Sequence, residues 1–296
     1  MPSRLQLARG AILDLFNQHA IQVFRSRDLK GILSQNRAEW RLAQTTTLAE
    51  FVTYLVKSGK LRRWDFPFPV RKEIRYTWGD VPLHAVLLTL KPDCYFSHYT
   101  AVQMHDLTEQ DPKTIYVNFE QPPKPAPAGA LAQERIDGAF ARKPRMSKNI
   151  ARFRDLRVCL LNGKHTGYVG VESRAVAPHG ESGKLTVRVT DVERTLIDIA
   201  VRPFYAGGVG EVLKAYQRAA PVASVNRVAG LLSQLGYTYP YHQAVGFYLE
   251  RSDAYKASLI EMFREKFTRE LDFYLTYGME SPRYEERWRL FVPQGF

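Results

Sequence analysis

Thr47 to Trp78 reads TLAEFVTYLVKSGKLRRWDFPFPVRKEIRYTW, and this stretch decides the fold of the first part of the chain. Thr47 and Glu50 stand at capping-box spacing, in which the hydroxyl accepts from a first-turn amide and the carboxylate accepts from the cap amide. Apolar residues then recur at i, i+3, i+4 and i+7, namely Leu48, Phe51, Val52 and Leu55. The pattern predicts a helix that begins near Thr47 and ends at a left-handed Gly59 cap.

A basic hairpin is predicted after this helix. Lys60 to Phe66 and Glu73 to Trp78 are rich in aromatic and β-branched residues, and the prolines between them cannot continue a sheet. Two further helices are predicted upstream, over Leu5 to His19 and from a Ser26 cap through Leu33. This order is that of a winged helix over residues 1–80, although the connection at 34–46 is longer than in a tight helix-turn-helix.

The third helix and the hairpin form the predicted DNA-binding surface. Such a helix lies in the major groove, where hydroxyl and amine groups reach base edges or phosphates, while hairpin cations neutralise phosphates without reading sequence. The candidate contacts are Arg37, Arg41, Thr46, Thr47, Tyr54, Lys57, Arg62, Arg63, Arg71, Lys72 and Arg75. The alternative interpretation is an ordinary solvated helix face beside a charged edge strand.

The composition is that of a soluble globular protein. The 296 residues suffice for two domains, and 45% are hydrophobic and 24% charged. The sequence has no run near the roughly 18 to 20 apolar residues of a membrane span, and residues 1–10 lack the apolar stretch of a secretory signal. We expect a cytoplasmic protein without membrane contact, in which Cys94 and Cys159 are buried, reduced thiols.

A second, α+β domain is predicted over 81–296, because Gly79, Asp80 and Pro82 interrupt regular structure before it. Helical patterns cover His84 to Leu90 and, from a Ser97 cap, His98 to Leu107, and a proline-rich loop covers 121–129. The predicted strands of an antiparallel or mixed sheet are Lys113 to Glu120, Leu156 to Leu161, Gly167 to Glu172 and Lys184 to Val189. The later helices are Val192 to Val201, Gly210 to Ala220, Ser224 to Gly236, Tyr241 to Leu249 and Ser258 to Tyr277.

Two motifs of this domain resemble AbiEi-type antitoxins. One is VTDVERTLID from Val189 to Asp198, followed by Arg202-Pro203 and Gly207-Gly208; the other is YFSHYTA from Tyr95 to Ala101, followed by Leu107 and the strand after it. The resemblance implies a transcriptional repressor and antitoxin of a type IV toxin-antitoxin system of phage defence. Such a protein binds inverted repeats in its own promoter and counteracts a nucleotidyltransferase-like toxin. It also implies that Arg194, Asp198 and Arg202 are a structural signature of the antitoxin domain.

The net charge of +12 is concentrated in two parts of the chain. Residues 1–80 hold 14 Lys and Arg against 7 Asp and Glu, and residues 121–157 hold 9 against 3, which favours contact with a polyanion. The second block contains Arg142, Lys143, Arg145, Lys148, Arg152, Arg154 and Arg157. It either extends the DNA footprint or meets an acidic toxin or RNA, and the nearby prolines and glycines favour a mobile loop that a polyanion orders.

Three other motifs have structural interpretations. Arg194 and Asp198 are four apart on a predicted helix, which favours an ion pair. Cys94, His98 and His105 are the best metal candidates, but they lack a fourth ligand and compact spacing, so we expect a core thiol and two helix-surface histidines. Gly207-Gly208-x-Gly210 lacks the Gly-Lys-Ser/Thr of a phosphate loop and is interpreted as a turn between helices.

The sequence thus predicts no catalytic residue, no metal site and no cofactor. Two rival functions stay open. A metal-dependent nuclease delivered to DNA by the winged helix would need clustered carboxylates with Mg²⁺. A ligand-responsive repressor would need a well-formed pocket in the second domain.

Overall fold

The structure is a computed structural model that describes residues 2–19, 22–58, 60–125, 129–177 and 183–296. Within these residues the fold is mixed α+β with three sheets, and the predicted α+β class is confirmed. The predicted Gly59 cap and the middle of the proline-rich loop, at 126–128, lie outside the described residues.

The described part of residues 2–80 combines four helices with an antiparallel sheet. The helices are α1 (Arg4–Leu7), α2 (Arg9–Gln18), α3 (Ser26–Asn36) and α4 (Leu48–Lys57). The strands are β1 (Val23–Phe24), β2 (Leu61–Phe66) and β3 (Glu73–Trp78), paired in the order β1-β3-β2. β2 and β3 form the predicted hairpin, with Leu61 opposite Trp78 and Phe66 opposite Glu73.

Helix α4 begins as predicted. The Thr47 hydroxyl accepts from the Glu50 amide at 3.2 Å, and the Glu50 carboxylate accepts from the Thr47 amide at 2.7 Å. Phe51, Val52 and Leu55 of the apolar stripe are buried in a first core, and Leu48 packs half-buried against it. In this core the rings of Phe16 and Trp78 stack with their centroids 4.7 Å apart. The cap and the stripe therefore fix both the start of α4 and the face that it turns to solvent.

Two details of the earlier helices differ from prediction. The helix expected over Leu5 to His19 is divided at Ala8 into α1, which starts at a capping box between Ser3 and Gln6, and α2. Ser26 is the first residue of α3 rather than its cap. Arg25 is the cap residue, because the Asp28 carboxylate three residues later accepts from its amide at 2.7 Å.

The second part of the chain is built on a six-stranded sheet. Its strands are β4 (Tyr95–Phe96), β5 (Thr114–Glu120), β6 (Ile150–Phe153), β7 (Leu156–Gly163), β8 (Val171–Val176) and β9 (Leu185–Thr190), in the order β6-β7-β5-β4-β9-β8. The sheet is mixed, since β5 runs parallel to β7 and β4 parallel to β9. The strand expected over Gly167 to Glu172 begins only at Val171, because Gly167, Tyr168 and Gly170 have positive φ and form a turn.

Helices surround this sheet and continue past it. They are α5 (Leu83–Leu87), α6 (His98–Met104), α7 (Gln133–Phe140), α8 (Val192–Val201), α9 (Val209–Ala219), α10 (Val225–Leu235), α11 (Tyr241–Arg251) and α12 (Ala257–Lys266). The helix expected over Ser258 to Tyr277 therefore ends at Lys266. A third sheet follows, formed by β10 (Phe273–Tyr274), β11 (Arg283–Glu285) and β12 (Leu290–Val292).

The hairpin also belongs to a second core. Trp64, Phe66 and Phe68 pack with apolar residues of α5 and of the six-stranded sheet, and a further core lies among the C-terminal helices. The β1-β3-β2 sheet thus contacts the first core on one face and the second core on the other. None of the helices within the described residues has the length and apolar character that crossing a membrane requires.

Candidate nucleic-acid interface

Helix α4 turns a polar face to solvent. Glu50, Thr53 and Lys57 are exposed, whereas Tyr54, predicted to face outward, is half-buried against the first core. Thr47 is exposed, but its hydroxyl is already engaged by the Glu50 amide and lies 3.1 Å from the Glu50 carboxylate. Lys57 is thus the cation that α4 itself presents to solvent, at the end of the helix where a positive charge is also favoured.

Arg37 organises the long connection before α4. Its guanidinium donates to the carbonyls of Gln44 at 3.3 Å and Thr46 at 3.0 Å, and also to that of Ala43. Thr46 is half-buried, and Arg41 is exposed at a turn with a φ of 48°. Arg37 therefore fixes the chain at the entry to α4, while Arg41 presents its side chain to solvent.

Apart from Arg75, the cations of the β2–β3 hairpin are exposed, and three of these four lie beside carboxylates. Arg62 is 2.6 Å from Asp80, and Arg63 and Lys72 hold Asp65 from two sides at 2.9 and 2.8 Å. The Arg63 hydrogen bond lowers the pKa of Asp65, with Lys72 acting in the same direction against partial burial. Arg71 lies exposed at the tip. These pairs are solvent-accessible, so a phosphate could replace the carboxylates at little cost.

Arg75 corrects the predicted DNA-contact set, because only 3% of it is exposed. Its guanidinium donates to the Thr89 hydroxyl at 3.0 Å, to the Thr89 and Leu90 carbonyls at 2.8 and 3.0 Å, and to the Glu73 carboxylate at 3.1 Å. Burial lowers its pKa and Glu73 opposes that shift. Arg75 therefore joins the hairpin to the segment after α5 and cannot reach a DNA phosphate.

Six cations from three separate segments line one recess of about 490 Å³ beside Arg75. They are Arg25, Arg27, Arg71, Lys72, Arg75 and Lys91. The sequence predictions missed Arg25, Arg27 and Lys91 as site residues, because only the fold brings these segments together. The local signal, an excess of cations in residues 1–80, did not single them out. We call this feature the basic recess.

The second basic block lies partly on regular structure, not wholly in the predicted mobile loop. Arg142, Lys143, Arg145 and Lys148 are exposed on an extended segment, but Arg152 lies on β6, Arg154 in the β6–β7 turn and Arg157 on β7. Phe153 stacks on Trp64 with centroids 5.3 Å apart, and the Arg154 guanidinium lies 6.0 Å from the Trp64 ring. Pairing with β7 and packing on β2 order the later half of the block.

The Arg194–Asp198 ion pair forms as predicted, with 2.8 Å between Nε and Oδ1, and both side chains are buried. Burial raises the pKa of Asp198 and the Arg194 guanidinium opposes that rise. Arg194 also donates to the Val169 carbonyl, which ties α8 to the turn before β8. Arg202, by contrast, is exposed at the end of α8. The pair therefore supports the core around α8.

Cys94 and Cys159 are buried free thiols, as predicted, and burial raises the pKa of both. The two histidines were expected on a helix surface, and this was wrong. His98 lies 2.9 Å from the Ser97 hydroxyl and His105 lies 2.6 Å from the Thr190 carbonyl, and burial lowers the pKa of both imidazoles. Within the described ranges, no three His, Cys, Asp or Glu residues are grouped as metal ligands.

The glycine motif forms a turn, as predicted. Gly207 has a φ of 82° and Gly208, with a φ of 97°, immediately precedes α9. Both angles lie in the region that other residues rarely adopt, so the glycines let the chain turn between a short 3-10 helix, Pro203–Tyr205, and α9. The motif therefore has a backbone role.

The comparisons with known proteins bear on the fold. No protein-family model matches the chain, and no curated protein does. Among solved structures, the crystal structure of the RV2827C protein from Mycobacterium tuberculosis is similar, with a TM-score of 0.57 and 14% sequence identity over 98% of this chain and 93% of that chain. At that identity the similarity concerns the fold alone. It extends over nearly the whole length of both chains.

Proposed function

We propose that this protein is a DNA-binding transcriptional autorepressor and the antitoxin of a type IV toxin-antitoxin system, acting in the cytoplasm without enzymatic activity. The observation that supports the DNA-binding half is that α4, which has an exposed polar face, shares a core with the β2–β3 hairpin, which carries exposed cations. In the proposal, α4 is the recognition helix of a winged helix, and the β2–β3 hairpin of the β1-β3-β2 sheet is its wing.

In this proposal α4 enters the major groove, which is about 12 Å wide and admits a helix with its side chains. Thr53 and Lys57 would reach base edges or phosphates from the exposed face. Tyr54 would contribute its hydroxyl edge, because its ring packs partly against the core. Arg41 would contact the backbone beside the start of the helix.

The hairpin cations would neutralise phosphates on the flanking backbone. In the structure, Arg63 and Lys72 are ion-paired with Asp65, and a DNA phosphate would replace this carboxylate as their acceptor. Arg62 would exchange Asp80 for a phosphate in the same way. Such contacts position the protein and make its affinity depend on salt, while sequence is read by α4.

The position of the second basic block supports an extended DNA footprint and not a separate contact with RNA or an acidic toxin. Its ordered half, from Arg152 to Arg157, lies on the hairpin that packs against β2, so its charges continue those of the β2–β3 hairpin. The Phe153–Trp64 stack fixes the two hairpins relative to each other. An operator with inverted repeats would take two copies of the protein, one on each half-site.

The antitoxin half is supported by the AbiEi resemblance of the motifs around Tyr95 and Val189. The signature pair Arg194 and Asp198 lies inside the core, which is consistent with a structural role and leaves the surface of the second part of the chain for a partner. That partner would be a nucleotidyltransferase-like toxin, counteracted through direct contact or functionally.

A promoter fusion in cells tests the repressor half. The full-length protein should repress a reporter placed behind its own promoter, and Lys57→Ala should relieve repression. Lys266→Ala is the matched control, because Lys266 is an exposed lysine that ends α12 as Lys57 ends α4. Equal repression by all three proteins would contradict the proposed role of α4.

Co-expression with the toxin encoded in the same operon tests the antitoxin half. Growth arrest by the toxin should be reversed by the wild-type protein and equally by Lys57→Ala, since the two activities are assigned to different parts of the chain. Persistent arrest with the wild-type protein present would contradict the antitoxin assignment and leave the repressor assignment intact.

A further inference from the structure

The basic recess lies where the hairpin meets the second part of the chain. Its walls are the start of α3, the return strand of the hairpin and the residues Leu90 to Pro92 after α5. Successive side chains of a strand point to opposite faces, and here Tyr76 packs in the first core while Arg75 bonds to Thr89 and Leu90. The floor of the recess is therefore on the face of the sheet turned away from α4.

The recess has an excess of positive charge. Six cations line it together with one carboxylate, that of Glu73. Lys91 and Arg75 share Glu73 at 2.9 and 3.1 Å, Lys72 pairs with Asp65 outside the recess, and Arg27 lies 3.6 Å from Asp28. Even with all three carboxylates counted, three positive charges have no balancing carboxylate.

The floor of the recess is preformed and its rim is exposed. The Arg75 guanidinium is fixed by three carbonyls, a hydroxyl and a carboxylate, and Arg25 donates to the Thr89 carbonyl at 3.3 Å. Arg27 and Arg71 are exposed, and the exposed Ser26 at the start of α3 also lines the recess. Guanidinium groups on several sides suit the tetrahedral oxygens of a phosphate, which Arg binds in bidentate fashion.

We propose that the basic recess binds a small phosphorylated anion, and that binding there adjusts the hairpin used on DNA. A volume of about 490 Å³ lies within the range of small-molecule sites, roughly 300 to 1,000 Å³. The occupant would contact Arg71 and Lys72 of the hairpin and Lys91 of the second part of the chain together. It would thereby draw two hairpin cations away from DNA. The regulatory part rests on the proposed function, whereas the binding site does not.

Calorimetric titration of the full-length protein with pyrophosphate, without DNA and at constant ionic strength, tests the site. Ser26→Asp places a carboxylate at the rim and should weaken binding by about tenfold or more. It should leave the fold intact, because an acidic residue is favoured in the first turn of a helix. Ser258→Asp, an exposed serine in the first turn of α12, is the matched control and should bind as the wild type does. Arg27→Gln, which removes one of the cations that line the recess, should also weaken pyrophosphate binding.

The outcomes separate the two sources of a phosphate group. Pyrophosphate binding that is lost in Ser26→Asp and Arg27→Gln but kept in Ser258→Asp supports the binding site, and weaker promoter binding by the wild type in the presence of pyrophosphate supports the regulatory part. Binding that is equal in all variants overturns the proposal. A wild-type protein that does not bind pyrophosphate also overturns it, and weaker promoter binding by Ser26→Asp than by Ser258→Asp would then assign the recess to a DNA backbone phosphate.

Discussion

Arg71 and Arg75 are the same type of residue, four positions apart in the hairpin. Arg75 is only 3% exposed, whereas Arg71 is exposed at the hairpin tip. The difference comes from the strand: Arg75 falls on the face that packs against the segment after α5, where carbonyls can satisfy its donors. A buried guanidinium needs such partners, and Glu73 supplies the compensating charge. Residue type alone therefore could not separate the exposed cations of the hairpin from the buried, structural one.

Glu73 should make stability depend on acid pH. Burial would raise its pKa, but the hydrogen bonds from Lys91 and Arg75 bring the pKa below its usual range. Its contribution to stability is thus complete above the unfolded pKa, about 4.3, and is lost as the pH falls through the lower folded pKa. In urea unfolding between pH 7 and pH 3, the free energy of unfolding should fall less for Glu73→Gln than for the wild type. An equal loss of unfolding free energy in the two proteins between pH 7 and pH 3 would contradict this role of Glu73.

Arg194→Ala should strongly destabilise the protein, because it leaves the Asp198 carboxylate buried without its counter-ion. Breaking a buried pair from one side costs about 3 to 5 kcal/mol. Arg218→Ala is the control, since Arg218 pairs with Glu109 at an exposed site and should change the unfolding free energy by about 1 kcal/mol or less. Equal losses for the two variants in urea unfolding would argue against a structural role of the pair.

At the scale of elements, the packing of helix α11 requires a glycine in its interior. Gly246 lies in α11, and a Cβ there would come within 2.1 Å of the buried Trp288 ring. Gly246→Ala should cost about 1 to 3 kcal/mol through overpacking. Gly230→Ala in α10, where a Cβ meets nothing within 4 Å, should instead stabilise by about 0.5 to 1 kcal/mol. Thermal unfolding of both variants and the wild type measures these changes. A Gly246→Ala protein as stable as the wild type would contradict the close packing of α11 on Trp288.

The elements predicted best from sequence are those with local signals. The Thr47–Glu50 capping box and the apolar stripe located α4, and the alternation around Ile115 located β5. Short strands gave no such signal: β1 and β4 have two residues each and form only because partner strands are brought beside them. Likewise, the helical appearance of 258–277 stops at Lys266, after which Phe273 pairs with Leu290 far along the chain.

For the candidate site, sequence located the helix and the hairpin but not the basic recess. Arg25, Arg71 and Lys91 are widely separated in sequence and meet only because β1 pairs with β3 and because Arg75 holds the segment after α5. The ordered half of the second basic block was missed for a similar reason. Its β6 is held by pairing with β7 and by the Phe153–Trp64 stack.

At the scale of the whole molecule, the hairpin is shared between two cores. Trp64 is 7% exposed, donates its indole N–H to the Thr77 hydroxyl at 2.9 Å and stacks on Phe153. Trp64→Ala should therefore lower the unfolding free energy of the full-length protein by about 3 to 5 kcal/mol. Val70→Ala, at an 84% exposed position of the same hairpin, should change it by about 0.5 kcal/mol or less. Comparable stability of the two variants would mean that the hairpin does not join the cores.

The shared core also governs how DNA binding has to be tested. Deleting residues 1–80 would remove Trp64, Phe66 and Phe68 from the second core, so a truncated protein would confuse lost binding with lost folding. Surface substitutions in the full chain avoid this. Arg71→Gln and Lys72→Gln alter exposed side chains of the hairpin and leave both cores as they are.

Fluorescence anisotropy of the full-length protein on labelled DNA from its own promoter and on scrambled DNA, over a series of salt concentrations, tests the central claim most directly. We predict tighter binding to the promoter, and a salt slope that falls by about 1 for each of Arg71→Gln and Lys72→Gln, while the preference for the promoter is kept. Equal affinity for the two DNAs, or salt slopes that the hairpin variants leave unchanged, would contradict the assignment of α4 and the hairpin as a sequence-reading DNA interface.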